Sequence, residues 1–325
     1  MRSHASAARW DDIDPTEDLL NYEVGQVHSH YKEPAHAVWD AVLTRNEWVI
    51  SQYGSSIHPG YIEGLRALDL PRRVPRVEEI NERLQPTGWK TVCVDGYIPT
   101  AVYVRLMAAS VFPISRRIRN PEHVDYAPMP DLVHDILGHL PMLFLKEHRD
   151  YLRRLASVMT RAVPNELDAE LYWVNRRLSE LKTDKRSSAA SIEAADREVR
   201  RVHRSLENKA SELTRLGRLY LWTVEFGWIG KPEAPLAYGA ALLSSPTELR
   251  AVCDGTTPVQ PHGVDAMQTD ISFSDLQAQY FVAEDFAHLD RVLADYEDTM
   301  EFRTRFPRTS EVRDIKPVEK RRRHA

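Results

Sequence analysis

Cysteine is scarce in this chain. Cys93 and Cys253 are the two cysteines among 325 residues, too few for the disulfide framework of a small secreted protein. We therefore expect a reducing compartment, the cytoplasm, and thiols that are buried as small hydrophobic side chains. The fold is then expected to depend on a hydrophobic core and not on covalent cross-links.

Long hydrophobic runs and an excess of one charge are also missing. No apolar stretch approaches the roughly 18 residues that a membrane span needs, and the polar N-terminal segment 1–14 lacks the apolar core of a signal peptide. Lys and Arg number 43 against 48 Asp and Glu, a net charge of −5 that argues against nucleic acid as the main partner. The basic run 320–324 is interpreted as a solvated tail, with contact to an anionic surface as the alternative.

What the sequence does have is a dense group of metal-ligating side chains. The stretch 130–141 reads Pro-Asp-Leu-Val-His-Asp-Ile-Leu-Gly-His-Leu-Pro, and Thr-Val-Glu-Phe-Gly at 223–227 adds a carboxylate far downstream. Two histidines and one carboxylate can bind one face of an iron(II) ion and leave the other face open for O2 and substrate. The hypothesis is a mononuclear non-haem iron site with His134, His139 and Glu225 as ligands.

The spacing of the two histidines is a difficulty for this hypothesis. Five positions separate His134 from His139, and on a regular helix that turns the side chains roughly 140° apart. Both reach one metal only if the helix is distorted or ends between them, and Gly138 and Pro141 favour such a break. The alternative is two hydrogen-bonded histidines on a half-buried helix.

Several segments, in order along the chain, resemble the pterin-dependent aromatic amino acid hydroxylases, the family that includes phenylalanine 4-hydroxylase. They are the two stretches above together with 68–71, 87–89, 112–113, 118–126, 238–245 and 280–282. The resemblance covers about residues 22 to 295 and is to the short bacterial members. It implies the three iron ligands already named.

The resemblance also implies a fold and an activity. The fold would be mainly α with a few short β-strands, with one catalytic domain at 21–305 between a disordered lead at 1–20 and a basic tail at 306–325. The activity would be that of an iron(II)- and tetrahydropterin-dependent monooxygenase. It would use O2 to hydroxylate the ring of phenylalanine or a related aromatic substrate.

Six residues are assigned to the pterin by the resemblance. Gly96, Tyr97 and Ile98 match the loop whose backbone contacts the pterin edge, and an aromatic at Tyr103 would stack on the ring by its planar apolar area. Asp135 matches an acid that reaches the pterin, and Tyr220 a further aromatic on that side. Without the resemblance, plain core packing would be the better interpretation of each aromatic residue.

The substrate side departs from the pattern that the resemblance implies. The residues assigned to the substrate are Ser110, Tyr126, Pro128, Trp222, Ala241 and Ser244. Ser110 stands where an arginine is expected to hold the amino acid carboxylate, and serine cannot replace a bidentate guanidinium. Met129, Leu221 and Ala241 are further departures. We therefore expect free phenylalanine to be a poor substrate unless Arg116 or Arg117 binds its carboxylate instead. Another aromatic compound is the alternative substrate.

One long interruption separates His139 from Glu225. Two apolar series with spacings of three and four predict a helical hairpin over 167–214, inserted into the catalytic domain or extending helices that the family has. The hairpin is interpreted either as an inert protrusion or as an arm for homo-oligomerisation or partner docking. Elsewhere, apolar periodicity predicts helices at 31–52, 61–68, 77–84, 101–112, 146–161, 214–228, 247–252 and 285–303, and strands at 91–94 and 279–282.

Two other functions compete with the leading one. A hydrolase with zinc on the same three ligands is a second enzyme class, and iron content with O2 uptake would exclude it. A non-catalytic interaction protein, with the hairpin as its docking arm, is the third. No nucleic acid or membrane partner is expected.

Overall fold

The computed structural model describes residues 22–124, 129–184, 186–244, 246–272 and 276–305. Its α-helices, in chain order, are α1 (Glu33–Tyr53), α2 (Pro59–Leu68), α3 (Val77–Leu84), α4 (Thr100–Ala108), α5 (Lys146–Met159), α6 (Glu166–Thr183), α7 (Ala189–Leu206), α8 (Glu212–Tyr220), α9 (Ala240–Ser244), α10 (Pro246–Cys253), α11 (Phe286–Thr299) and α12 (Glu301–Arg305). Two π-helical turns, π1 (His134–His139) and π2 (Leu221–Glu225), complete the helical elements that matter for the site.

The strands form two small sheets. β1 (Lys90–Val94) and β2 (Val111–Ser115) pair in parallel, and the second sheet has the order β4-β3-β6-β5. In it β3 (Trp228–Lys231) lies antiparallel to β4 (Ala234–Ala237), while β6 (Tyr280–Ala283) is parallel to β3 and to β5 (Val259–Pro261). The fold is thus mainly α with a few short strands, as predicted from the sequence.

One hydrophobic core runs through the molecule from α1 to Met300. Its largest fully buried side chains include Trp39, Tyr61, Tyr151 and Trp228. The helices approach one another closely where glycine allows it: a Cβ on Gly64 in α2 would collide with the backbone of Pro141. This contact packs α2 against the turn that follows π1. The predicted lead at 1–20 and tail at 306–325 lie outside the described residues.

The helices α6 and α7 pack side by side as an antiparallel pair. Asn165 caps α6 by accepting the N–H of Leu167 at 2.9 Å, and Ser188 caps α7. Leu178, Ala195 and Val199 form a small core of their own away from the main one. The far end of the pair therefore has its own packing, and we refer to α6, α7 and their connection as the hairpin.

Three predicted boundaries were wrong. The helix predicted at 101–112 ends at Ala108, because the backbone turns at Ser110 (φ 60°) and Val111 begins β2. The helix predicted at 214–228 ends at Glu225, since Trp228 already pairs in β3. The last helix is broken at Met300, whose backbone is extended. In the first two cases β-branched and aromatic residues find a strand partner that local periodicity does not reveal.

Among the described residues, no helix combines the length and the apolar character that crossing a membrane requires.

Candidate active site

The helical segment that carries both histidines begins at a buried ion pair. Asp131 Oδ1 accepts the N–H of His134 at 3.0 Å, so the side chain caps the start of this segment. The same carboxylate binds Arg119 in two places, with Nε at 3.0 Å and Nη2 at 2.8 Å. Both side chains are buried. The start of the metal-binding segment is therefore fixed by a charge-assisted network and not by an isolated cap.

The five-residue spacing of the histidines is explained by π1. In a π-helix the hydrogen bonds run from residue i to i+5, which brings residues five apart onto nearly the same face. The Nε2 atoms of His134 and His139 are 3.2 Å apart. The expected distortion is therefore a wide turn that runs continuously between the two histidines.

Gly138 has a different role from the break predicted for it. A Cβ at this position would lie 2.8 Å from the carbonyl oxygen of Ala240, closer than such atoms pack. The glycine therefore lets α9 pack directly against π1. This approach brings Ser244, at the end of α9, to the back of the first histidine, where its Oγ lies 2.9 Å from His134 Nδ1.

The carboxylate of Glu225 arrives on a second π-turn. The N–H of Phe226 donates to the carbonyl of Leu221 at 2.9 Å, the i to i+5 bond of π2. Glu225 Oε2 is 3.3 Å from His134 Nε2, and Oε1 is 3.2 Å from His139 Nε2. Atoms bound at right angles to one ion at about 2.1 Å would be about 3 Å apart. The three groups thus have the separation of ligands that share a metal.

Two glycines hold π2 in place. A Cβ on Gly239 would collide with the backbone of Gly227 and of Glu225. The carbonyl of Gly227 accepts the N–H groups of Tyr238 and Gly239 at 3.0 and 3.1 Å. The Thr-Val-Glu-Phe-Gly and Tyr-Gly stretches are therefore interlocked, backbone against backbone, directly behind the carboxylate.

A second acid is close to the histidines. Asp135 has an oxygen within 4.8 Å of a ring nitrogen of both His134 and His139. Its Oδ2, however, accepts the N–H of Ser115 at 2.6 Å, and Glu225 lies much closer to both imidazoles. We therefore take Glu225 as the third ligand and Asp135 as a neighbour of the site.

Burial and charge act in opposite directions on these acids. Burial alone would raise the pKa of Glu225, but the imidazoles of His139 and His134 outweigh it and hold that pKa well below the usual range. Burial raises the pKa of Asp135 to about 6, although His134 and the Ser115 N–H oppose the rise. The surroundings of Glu225 therefore favour its charged form, the form that could bind a metal.

Two of the predicted pterin residues form one wall of the site. The hydroxyl groups of Tyr103 and Tyr220 are 2.8 Å apart. The ring of Phe112 lies 6.3 Å from that of Tyr103 and 4.8 Å from that of His139. Burial raises the pKa of Tyr103, and Glu225, Asp135 and Tyr97 add to the rise. A continuous aromatic surface thus extends from His139 to these two tyrosines.

The predicted pterin loop lies beyond this wall. Gly96 has a left-handed backbone (φ 72°), which glycine adopts without strain. Ile98 packs on the small core of Val92 and Val102, and the ring of Tyr97 packs on Tyr172 of α6.

The predicted substrate residues are dispersed. Ser244 contacts the ligand cluster, and Ala241 lies half-buried in α9. Trp222 donates its indole N–H to the carbonyl of Thr269 at 2.9 Å and packs on Phe281. Tyr126 and Pro128 lie outside the described residues.

Ser110 and the two alternative arginines are engaged elsewhere. Ser110 sits in the turn between α4 and β2, where its carbonyl accepts the N–H of Lys90 at 3.2 Å. Arg116 and Arg117 both pair with Asp95. Both arginines are therefore already paired, and neither is free to bind the substrate carboxylate in place of an arginine at position 110.

Arg119 is the residue that the sequence interpretation missed. It is 7% exposed, and its Nη1 has no hydrogen-bond partner in the part of the chain that the structure describes. A buried guanidinium with one free amino group is suited to an incoming carboxylate. The signal in the sequence was a pair of opposite charges, Arg119 and Asp131, that flanks the loop before the histidine motif.

The chain is similar to several known proteins over most of its length. The family model described as biopterin-dependent aromatic amino acid hydroxylase matches residues 13–194 and 195–321. The phenylalanine-4-hydroxylase of Pseudomonas aeruginosa is 31% identical over 263 residues, which are 80% of this chain and 82% of that protein. The Chromobacterium violaceum phenylalanine hydroxylase with bound iron(III) and oxidised 7,8-dihydrobiopterin is 26% identical, with a TM-score of 0.65 over 86% of each chain. The same enzyme with iron and phenylalanine bound gives 0.63, at 26% identity over 86% of this chain and 87% of that one.

Proposed function

This chain belongs to the biopterin-dependent aromatic amino acid hydroxylase family, and from that premise we propose that it hydroxylates the ring of a free aromatic amino acid with O2, using iron(II) and a tetrahydropterin. Phenylalanine is the first candidate substrate. Membership of the family makes the chain a pterin-dependent monooxygenase. The hydrolase and the non-catalytic interaction protein are therefore set aside.

The observation that carries the proposal is the cluster of two imidazole nitrogens and one carboxylate. His134, His139 and Glu225 place their ligand atoms within 3.3 Å of one another. This donor set suits iron(II) and leaves coordination positions open, and a related enzyme holds iron. Bound iron and reduced pterin would together supply the electrons that activate O2.

The surrounding residues orient these ligands and exclude water. Ser244 contacts His134 at Nδ1 and so directs Nε2 toward the metal position. Phe112 and the Tyr103–Tyr220 pair give the site an apolar side on which a flat pterin ring can stack. The three ligand side chains are at most 14% exposed, so that competing reactions with bulk water are limited.

Arg119 supports a free amino acid as substrate. Its Nη1, which has no partner among the described residues, can donate to a substrate carboxylate while Nε and Nη2 remain on Asp131. Because Asp131 also caps the His134 segment, the position of the carboxylate would be tied to that of the metal. The serine at 110 then does not abolish binding of the substrate carboxylate, since Arg119 provides the guanidinium instead. The related enzyme that binds phenylalanine makes this amino acid the first to test.

The test is a turnover assay under defined conditions. The protein is loaded with iron(II) without oxygen and then given a tetrahydropterin, O2 and one of three substrates: free phenylalanine, its ester or its decarboxylated amine. We expect a hydroxylated product from free phenylalanine with matched O2 uptake, and weak turnover of the other two. No hydroxylated product from any aromatic substrate would refute the proposed function, and a preference for the ester or the amine would refute the role of Arg119.

A further inference from the structure

The base of the hairpin is fastened to the helix that leads to Glu225. Asp168 Oδ1, in the first turn of α6, accepts the hydroxyls of Ser211 at 3.0 Å and Thr214 at 2.7 Å, at the start of α8. The side chain of Asn165 donates to the carbonyl of Lys209 at 2.8 Å. The first turns of α6 therefore have a fixed place relative to α8 and π2.

One turn further along, the hairpin contacts the predicted pterin loop. The rings of Tyr172 and Tyr97 have centroids 5.8 Å apart with planes inclined by 33°. Tyr172 is 4% exposed, whereas Tyr97 is 38% exposed at the rim of the site. The hydroxyl of Tyr172 accepts a hydrogen bond from Arg176 at 3.1 Å, which holds its ring against the loop.

The loop has few other anchors. Asp95 at its start pairs with Arg116 and Arg117. Gly96 has an unusual backbone, and a Cβ built on it meets none of the described atoms within 4 Å. The ring of Tyr97 packs on that of Tyr172. The loop is thus held at three points: by the ion pairs of Asp95, by the apolar contacts of Ile98 and by the aromatic contact of Tyr97.

We infer that Tyr172 is a positioning residue for the pterin: the hairpin base fixes Tyr97, and through it the loop that contacts the cofactor edge. This inference rests on the proposed function. It gives the hairpin a role in the reaction that neither an inert protrusion nor a docking arm provides. The far end of the hairpin, around Leu178 and Val199, packs on itself and takes no part in this role.

The experiment measures cofactor binding apart from turnover. Titration calorimetry with 7,8-dihydrobiopterin, without O2, gives the Kd of wild type, Tyr172→Ala and Tyr172→Phe. We expect Tyr172→Ala to weaken binding roughly five- to ten-fold, the effect of losing one aromatic pair. Tyr172→Phe keeps the ring and should bind nearly as the wild type does. The KM for the amino acid should stay unchanged in both variants.

Ile192→Ala is the matched control, because Ile192 packs in the far core of the hairpin away from Tyr97. It should leave the pterin Kd unchanged. Should Tyr172→Ala fail to fold, Tyr97→Ala removes the same contact from the exposed side and should give the same loss. Equal binding by wild type and the alanine variants would overturn the inference, as would an equal loss in Tyr172→Phe or Ile192→Ala. If the wild type itself does not bind dihydrobiopterin, the proposed function fails first, which separates the two results.

Discussion

The candidate ligand cluster of His134, His139 and Glu225 and the rim formed by the predicted pterin residues are built in different ways. Around the cluster, backbone packs against backbone: Gly138 meets Ala240, and Gly239 meets Gly227 and Glu225. At the rim, side chains provide the contacts, as in the pair of Tyr97 and Tyr172. Backbone contact tolerates no added atom, whereas a side-chain contact can be exchanged for another. We therefore expect substitutions at these backbone contacts to disrupt the cluster. Substitutions at the rim should only weaken individual contacts.

The largest effect is expected at the interlocked glycines. Gly239→Ala places a methyl group into the backbone of Gly227 and Glu225, so it should cost roughly 3 kcal/mol of stability and most of the bound iron. Gly217→Ala is the control, since its Cβ would meet none of the described atoms within 4 Å and it lies within α8. It should be neutral or stabilise by up to about 1 kcal/mol. Thermal unfolding and iron content measure both; equal stability of the two variants would contradict the interlock.

Arg119 joins the two regions and should have the next largest effect. Arg119→Lys keeps the charge but loses the planar guanidinium that contacts Asp131 and that is proposed to bind the substrate carboxylate as well. We expect kcat/KM for free phenylalanine to fall about a hundred-fold, the equivalent of about 3 kcal/mol. The value for the decarboxylated amine should fall much less. Arg83→Lys, at an exposed pair with Asp69 away from the site, is the control. A parallel fall for acid and amine would mean that Arg119 acts only on the fold.

Tyr103 tests the rim alone. Tyr103→Ala removes the ring beside Tyr220 and Phe112, so the KM for the pterin should rise about ten-fold. The KM for the amino acid should change little, and the iron content should not change. If only the amino acid KM rises, the pterin is wrongly placed.

The smallest effect on stability is expected from Ser244. Ser244→Ala removes the contact to His134 Nδ1, and the loss of such an outer contact costs about ten-fold or more in metal affinity or activity. Stability should be unaffected, because the hydroxyl adds little packing. Iron affinity that equals that of the wild type would remove this contact from the account.

The sequence identified candidate metal ligands but not the geometry that brings them together. Residue types and motifs were sufficient to propose His134, His139 and Glu225. Apolar periodicity, however, is nearly the same for an α-turn and a π-turn over five residues, so the sequence pattern did not reveal π1 and π2. Arg119 was missed because a buried charge in a loop has no periodic signal, and only its distant partner Asp131 reveals it. Short strands such as β2 depend on pairing with a distant segment, which local propensity does not contain.

We propose that Glu225, and not Asp135, completes the metal site with the two histidines. Anaerobic iron(II) titration of Glu225→Gln and Asp135→Asn tests it directly, since each variant removes one charge with almost no change in shape. We predict that Glu225→Gln loses stoichiometric iron binding while its thermal unfolding stays cooperative, and that Asp135→Asn still binds one iron per chain. Stoichiometric iron in Glu225→Gln together with its loss in Asp135→Asn would contradict the account and assign the third ligand to the neighbouring acid.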